Sequence, residues 1–179
     1  MIIRLFKKLF FHSIKFFLVP LDGRFPRTYM KIYNYLLKMM GLRMDGNPRY
    51  ISTQVRFDDF DKIKLSERVV ISEKVILLTH DYSLTTGLIA LGKLPRRDLA
   101  FIREIKIGKN VFIGMGAIIM PGTTIHDNVV IGAGSVVRGE IPADSIVIGN
   151  PGKIIGNLTE KARKWELLIK DSFIQTDRK

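Results

Sequence analysis

Apolar residues recur every six positions along the second half of the chain. Ile107, Ile113, Ile119, Ile125, Ile131 and Val137 form one series, all β-branched and aliphatic. Four places after each comes a second series, Val111, Ala117, Thr123, Val129, Ser135 and Ile141, mostly small or β-branched. An α-helix repeats at 3.6 residues and a hairpin meander alternates at two, so neither produces this spacing. A six-residue repeat predicts an all-β solenoid, a parallel β-helix in which each hexad is a short strand and a turn. Three hexads then make a triangular coil, coils stack about 4.8 Å apart, and the aliphatic series becomes a ladder through the interior. Asn110 and Asn128 suit turn positions that require positive φ.

The same period runs upstream through Leu65, Ile71 and Leu77, with Val69 and Val75 in the second series. Ile51, Phe57 and Ile63 precede it two residues out of phase, which predicts an irregular turn within residues 56–62. Between the two ladders, residues 81–101 lose the hexad and contain Gly87, Gly92 and Pro95. A loop of that length in a compact domain is commonly functional.

The flanks read as helices. Residues 1–20 put Arg4, Lys7, Lys8, His12 and Lys15 on one side and Ile3, Phe6, Phe10, Ile14, Phe17 and Leu18 on the other. Charge recurs too often there for a transmembrane span, and no cleavage signal follows. The stretch predicts an amphipathic helix that lies on an anionic membrane surface or packs its phenyl face on protein. A second helix follows over residues 25–41, with Pro26 in its first turn and Tyr29, Ile32, Tyr33, Leu36, Leu37 and Met40 at helical spacing. Near the end, Asn157 and Glu160 have capping-box spacing ahead of an apolar stripe, Ala162, Trp165, Leu168 and Ile169. That helix is expected to cover the last coil, and residues 175–179 to form a solvated tail. The organisation is thus a basic helical segment at 1–46, a β-helix at 47–156 and a C-terminal helix and tail at 157–179.

Charge and composition narrow the chemistry. The formal charge of +12 is concentrated early: ten cations against Asp22 and Asp45 leave the first 50 residues at +8. This favours an anionic partner, and with no nucleic-acid motif a membrane surface fits better than DNA or RNA. The absence of cysteine removes disulfides, thiolate nucleophiles and thiolate metal sites, and suits a cytoplasmic protein, free or peripheral on the inner membrane face. His80 is then the residue of interest, because it ends the first ladder and opens the long loop. A lone histidine at a strand end is usually structural, but this position reverses that weighting.

Residues 107–155, containing IGMGA, IGAGS and GNP, together with THDYSLTTG at 79–87, resemble the hexapeptide-repeat acetyltransferases, most closely those acting on sugars and bacterial surface polysaccharides. The resemblance covers about residues 50–156. It implies a left-handed β-helix, a homotrimer, and acetyl-CoA lying in the groove between adjacent subunits. It also implies that His80 is the general base for a weakly nucleophilic acceptor hydroxyl. An acceptor on the other ring nitrogen would fix its tautomer. Asp81 is nearest in sequence, while Asp58, Asp59 and Asp61 offer alternatives from the preceding coil.

By the same resemblance, the backbone N–H near Met115 stabilises the oxyanion, and Met115, Gly116, Ala133, Gly134, Arg138 and Lys153 form the CoA set. Asp58, Asp59, Tyr82, Arg96 and Arg97 are the candidates for acceptor binding. Two positions depart from the family: Arg138 and Gly139 stand where sugar acetyltransferases often have Thr-Lys, and His126 where glycine is usual.

No metal is expected. Three histidines are the minimum for the zinc site of trimeric γ-type carbonic anhydrases, and here His12 lies in a separate element. The implied activity is acetyl-CoA dependent O-acetylation of a saccharide, free or lipid-linked. The alternatives are N-acetylation of an amino sugar and a silent β-helix scaffold docked on a membrane.

Overall fold

The computed structural model describes residues 2–169, with side chains from residue 10 onward except His12. Within it the chain visits three parallel sheets in rotation, which winds it into stacked three-sided coils. The first sheet stacks Arg43–Asp45, Ile63–Ser66, Ile105–Ile107, Thr124–Ile125 and Glu140–Ile141. The second contains Tyr50–Ile51, Val70–Ile71, Phe112–Ile113, Val130–Ile131 and Ser145–Ile148, and the third Arg56–Phe57, Ile76–Leu77, Ile118–Ile119 and Val136–Val137.

Register explains why six is the period. Ile113 stands opposite Ile131 and Ile119 opposite Val137, so residues three hexads apart stack on the same face. All members of both aliphatic series are buried. Each large aliphatic removed from water contributes about 1.5–3 kcal/mol before chain entropy is set against it. The turns between strands are tight. Asn110 and Asn128 hold φ of 55° and 58°, and the Asn110 amide donates to the Asn128 side-chain oxygen at 3.0 Å. A Cβ on Gly114 would lie 2.6 Å from the Ala133 nitrogen, so the coils could not stack there with any other residue.

The early phase slip is real and has a visible cause. Ile51 pairs with Ile71 and Phe57 with Leu77, twenty residues apart, and a short 3-10 turn at Phe60–Lys62 absorbs the added length. The sheets also begin at Arg43, four residues before the expected boundary at 47.

The segment 81–101 departs from an open loop. His80–Asp81 pairs antiparallel with Phe101–Ile102, closing its base. Ser83–Ala90 is helical, and the Thr85 hydroxyl donates to the Leu99 carbonyl while accepting from its N–H.

At the N-terminus, helix α1 (Ile2–Arg24) packs on helix α2 (Pro26–Met39). Helix α2 buries Tyr29, Tyr33, Leu36 and Leu37 as its spacing predicts, while Ile32 of the same predicted stripe is exposed and Met40 half-buried, and the Tyr29 hydroxyl donates to the Ile51 carbonyl at 2.5 Å. Helix α1 keeps part of the expected apolar face inward, with Leu18 buried and Ile14 packed against the core, but it adds Phe11 to the core and leaves Phe10 and Phe17 exposed. The side chains of residues 3–9 and His12 lie outside the described part. No helix among the described residues is long and apolar enough to cross a membrane.

The C-terminal expectation needs correcting. Helix α4 (Leu158–Glu166) begins where Asn157 accepts from the Glu160 N–H at 3.1 Å, as its capping spacing predicts, but it buries no residue. The last sheet edge is instead met by Lys153–Asn157, which folds back antiparallel on Ser145–Ile148. Residues 170–179, including the expected tail, lie outside the description.

Candidate active site

Parallel stacking of Arg56–Phe57 on Ile76–Leu77 sets the corner that follows the third sheet, and there it brings Asp58 and Asp59 against His80. His80 Nδ1 is 2.7 Å from Asp58 Oδ2, and His80 Nε2 is 3.0 Å from Asp59 Oδ2. The same Asp58 oxygen accepts from the His80 N–H at 3.2 Å and from the Thr79 N–H at 3.1 Å. The Thr79 hydroxyl, fully buried, lies 3.2 Å from Asp58 Oδ2 and 3.3 Å from Asp59 Oδ2. A hydroxyl donates once, so it is shared between the two carboxylates.

Electrostatics follow from this geometry. The hydrogen bond to Asp58 raises the His80 pKa above its ordinary value; desolvation opposes this, and the charges of Asp59 and Asp58 add to it. For Asp58, desolvation pushes upward, but the bonds from His80 and Thr79 outweigh it and its carboxyl ends below the usual range. The imidazole thus stands between two carboxylate acceptors, which favour its protonated form over that of a free histidine.

Asp81, the nearest carboxylate in sequence, does not orient the imidazole. Its carboxylate accepts from the Ser83 N–H at 2.9 Å, two residues on at the first position of helix α3 (Ser83–Ala90), and that bond holds its pKa down. The physical reason is pleating: consecutive residues of the His80–Asp81 strand point to opposite sides. Thr79, which ties both carboxylates together, was not singled out from the sequence. The only signal for it was a hydroxyl residue next to the histidine at a coil end.

Of the remaining candidates, Tyr82 stacks on His80, with ring centroids 6.5 Å apart and planes at 18°. Arg96 and Arg97 lie exposed in a bend and are not drawn to the ring. Asp61 forms an ion pair with Lys62 at 3.6 Å. His126 pairs with Glu140 at 2.8 Å on the surface.

Met115, Gly116, Ala133 and Gly134 stack at the corner between the second and third sheets, where the Gly134 N–H donates to the Met115 carbonyl at 2.8 Å. Gly116 and Gly134 hold φ of 70° and 67°, and nothing stands within 4 Å of where a Cβ would be on either. This is a bare backbone ledge that a narrow chain such as pantetheine could follow. Arg138 belongs to the His80 corner instead, where its charge helps to lower the pKa of Asp81. Lys153 is exposed on the returning strand. One edge of the coil, about six extended residues or at most ~20 Å, separates the ledge from His80 within a single chain.

No group of three or more histidine or acidic side chains among the described residues could hold a metal ion.

Residues 104–139 match the family model "bacterial transferase hexapeptide (six repeats)". Among curated proteins, the chain is 29% identical over 140 residues to WbbJ of Escherichia coli (strain K12), provisionally named a lipopolysaccharide biosynthesis O-acetyl transferase, with 71% of each chain covered. It is 33% identical over 97 residues to the galactoside O-acetyltransferase of the same strain, spanning 54% of this chain but only 48% of that protein. Among solved structures, a galactoside acetyltransferase in complex with coenzyme A superposes with a TM-score of 0.63 at 23% identity, covering 89% of this chain and 84% of that one.

Proposed function

We propose that this relative of the hexapeptide-repeat acetyltransferases moves an acetyl group from acetyl-CoA to a hydroxyl of a saccharide. The observation that carries the reading is the 2.7 Å contact between Asp58 and His80 Nδ1. A neutral imidazole that donates Nδ1–H to Asp58 keeps its lone pair on Nε2, the nitrogen a general base must offer.

Acetyl-CoA supplies an activated thioester. The chain's part begins when an acceptor hydroxyl takes the place of Asp59 at Nε2. His80 then accepts the hydroxyl proton while the oxygen bonds to the thioester carbonyl carbon. Oxyanion charge falls where the Met115 N–H can meet it, and the imidazolium returns its proton to the sulfur as the C–S bond breaks. Ester and free thiol result, with His80 restored. Asp58 acts through the imidazole and is a positioning residue.

The bare ledge at Gly116 and Gly134 fits the pantetheine arm, and Lys153 offers a cation for a phosphate. Because ledge and His80 occupy different corners of one chain, a site between neighbouring copies fits best; that the coil is left-handed and the assembly a trimer is what the family implies. Helix α1 leaves Phe16 and Phe17 75% and 73% exposed beside the basic first 20 residues, which supports docking on an anionic membrane bearing a lipid-linked acceptor.

Incubating the chain with acetyl-CoA and a panel of neutral, amino and lipid-linked sugars tests the reading, with thiol release as readout and mass spectrometry locating the acetyl group. Thiol release that no saccharide stimulates would sink it, and a product acetylated only on nitrogen would convert it to the amino-sugar alternative.

A further inference from the structure

A groove of about 1000 Å³ runs between helix α2 and the outer surface of the second sheet, on a different face from the His80 corner. Its chemistry is one-sided. Arg27, Lys31 and Lys38 come from the helix, and Arg49 and Arg68 from the coils opposite; no aspartate or glutamate is among the lining residues. Two acids stand near its wall: Asp22, which accepts from the hydroxyl of the lining Tyr50 at 2.9 Å, and Glu73, whose charge also acts on Tyr50.

The two walls are held firmly. Positions 27, 31 and 38 fall on one flank of α2 because residues three to four apart share a helical face. The adjacent face is pinned to the coil through Tyr29 on the Ile51 carbonyl and Met30 Sδ against the Ile51 N–H at 3.3 Å. Arg68 sits at a coil corner with φ of 59°, and its N–H donates to the Asn47 carbonyl at 3.1 Å. Like charges that converge on a cleft raise its potential and concentrate anions within it. Tyr35 and Phe112, both exposed, flank the cations with aromatic faces suited to a sugar ring.

We infer that this groove binds a phosphate- or diphosphate-bearing saccharide, at a site separate from acetyl transfer. A concave cleft with cations on both walls fits a discrete anion better than a flat layer of lipid headgroups. The site rests on the groove's own residues and does not depend on the acetylation chemistry.

Calorimetric titration of the full chain with inorganic pyrophosphate in low salt tests it. Binding is expected in the wild type, weakening as salt rises, and at least tenfold weaker in Lys31→Ala combined with Arg68→Asn. Asparagine tolerates the left-handed backbone at 68, and a thermal melt checks that the variant folds. Arg27→Ala combined with Lys38→Ala supplies an independent test on one wall only. Pyrophosphate should still bind in the presence of saturating CoA, which distinguishes the groove from a CoA phosphate contact, and its displacement by CoA would overturn the inference. Absence of binding, or affinity unaltered in both groove variants, overturns the inference. So does binding to phosphatidylglycerol vesicles without binding to pyrophosphate, since that marks a membrane face.

Discussion

Asp58 and His80 lie 22 residues apart in the chain and 2.7 Å apart in space, because the strands just before them, Arg56–Phe57 and Ile76–Leu77, are neighbours in the same parallel sheet. The contact is a product of coil stacking, and on the proposed function it makes Nδ1 the held nitrogen and Nε2 the basic one.

Replacing Asp58 with asparagine removes the charge and keeps an oxygen that can still accept from Nδ1. Turnover should fall about 10- to 100-fold, less than the ~100- to 10,000-fold that general-base assistance itself supplies, because the imidazole is still present. The hydrogen bond from Asp58 is the leading reason that the His80 pKa is raised, so the acidic limb of the kcat/KM profile should move to lower pH. A pH–rate profile that keeps its acidic limb would contradict the assignment.

Asp59 should behave oppositely. It faces Nε2 at 3.0 Å, where the acceptor must bind. Asp59→Ala is expected to keep turnover within about tenfold of wild type while lowering the pKa of His80. Loss of activity as severe as in His80→Ala would reverse the reading, making Asp59 the orienting carboxylate and Nδ1 the basic nitrogen.

The cluster also predicts how stability depends on pH. His80 has a raised pKa, so its contribution is fully present below the unfolded value of about 6.5 and is lost as pH rises through the folded value. Asp58 has a lowered pKa, so its contribution is present above about 3.8 and is lost as pH falls through the folded value. The difference in Tm between wild type and His80→Gln should therefore be largest near pH 5 to 6 and shrink toward pH 8. Thermal melts across that range measure it.

The bare ledge predicts a binding phenotype without a folding one. Ala133 is exposed, so Ala133→Leu adds bulk toward solvent and should leave Tm within about 1–2 °C. Its affinity for CoA should drop at least tenfold by calorimetry. Unchanged affinity would move the pantetheine path away from Gly116 and Gly134.

Membrane docking is tested better by substitution than by truncation, because α1 contributes Phe11 and Leu18 to the core and its removal would uncover the rings of Tyr33 and Phe60 that Phe11 packs on. Phe16→Ser combined with Phe17→Ser changes exposed rings only. It should reduce sedimentation with anionic vesicles severalfold while leaving acetylation of a soluble acceptor intact. Equal sedimentation of variant and wild type would point to packing against protein.

The coil architecture was legible residue by residue. Interior positions of a repeating coil must hold aliphatic side chains at fixed intervals, so the series from Ile107 to Val137 states the fold in one dimension. The phase slip before Leu65 and the break after His80 were legible for the same reason, as departures from a regular pattern. Helix α2 announced its buried face through spacing alone. Less could be read where no period constrains the choice. Nothing local indicated that α1 would bury Phe11 while exposing Phe17, or that α4 would leave Trp165 in solvent, because both depend on what stands opposite.

The site divides along the same line. His80 was identifiable from its position at a ladder's end, a property of the linear pattern. Which carboxylate holds it was settled by stacking between coils, a contact 22 residues long that sequence proximity misassigns to Asp81. The cationic groove is of the same kind, for Lys31 and Arg68 belong to different elements and share a cleft only once the helix is docked on the coil. Periodicity records where a side chain must be buried. Only the tertiary structure decides which polar groups the buried framework brings face to face.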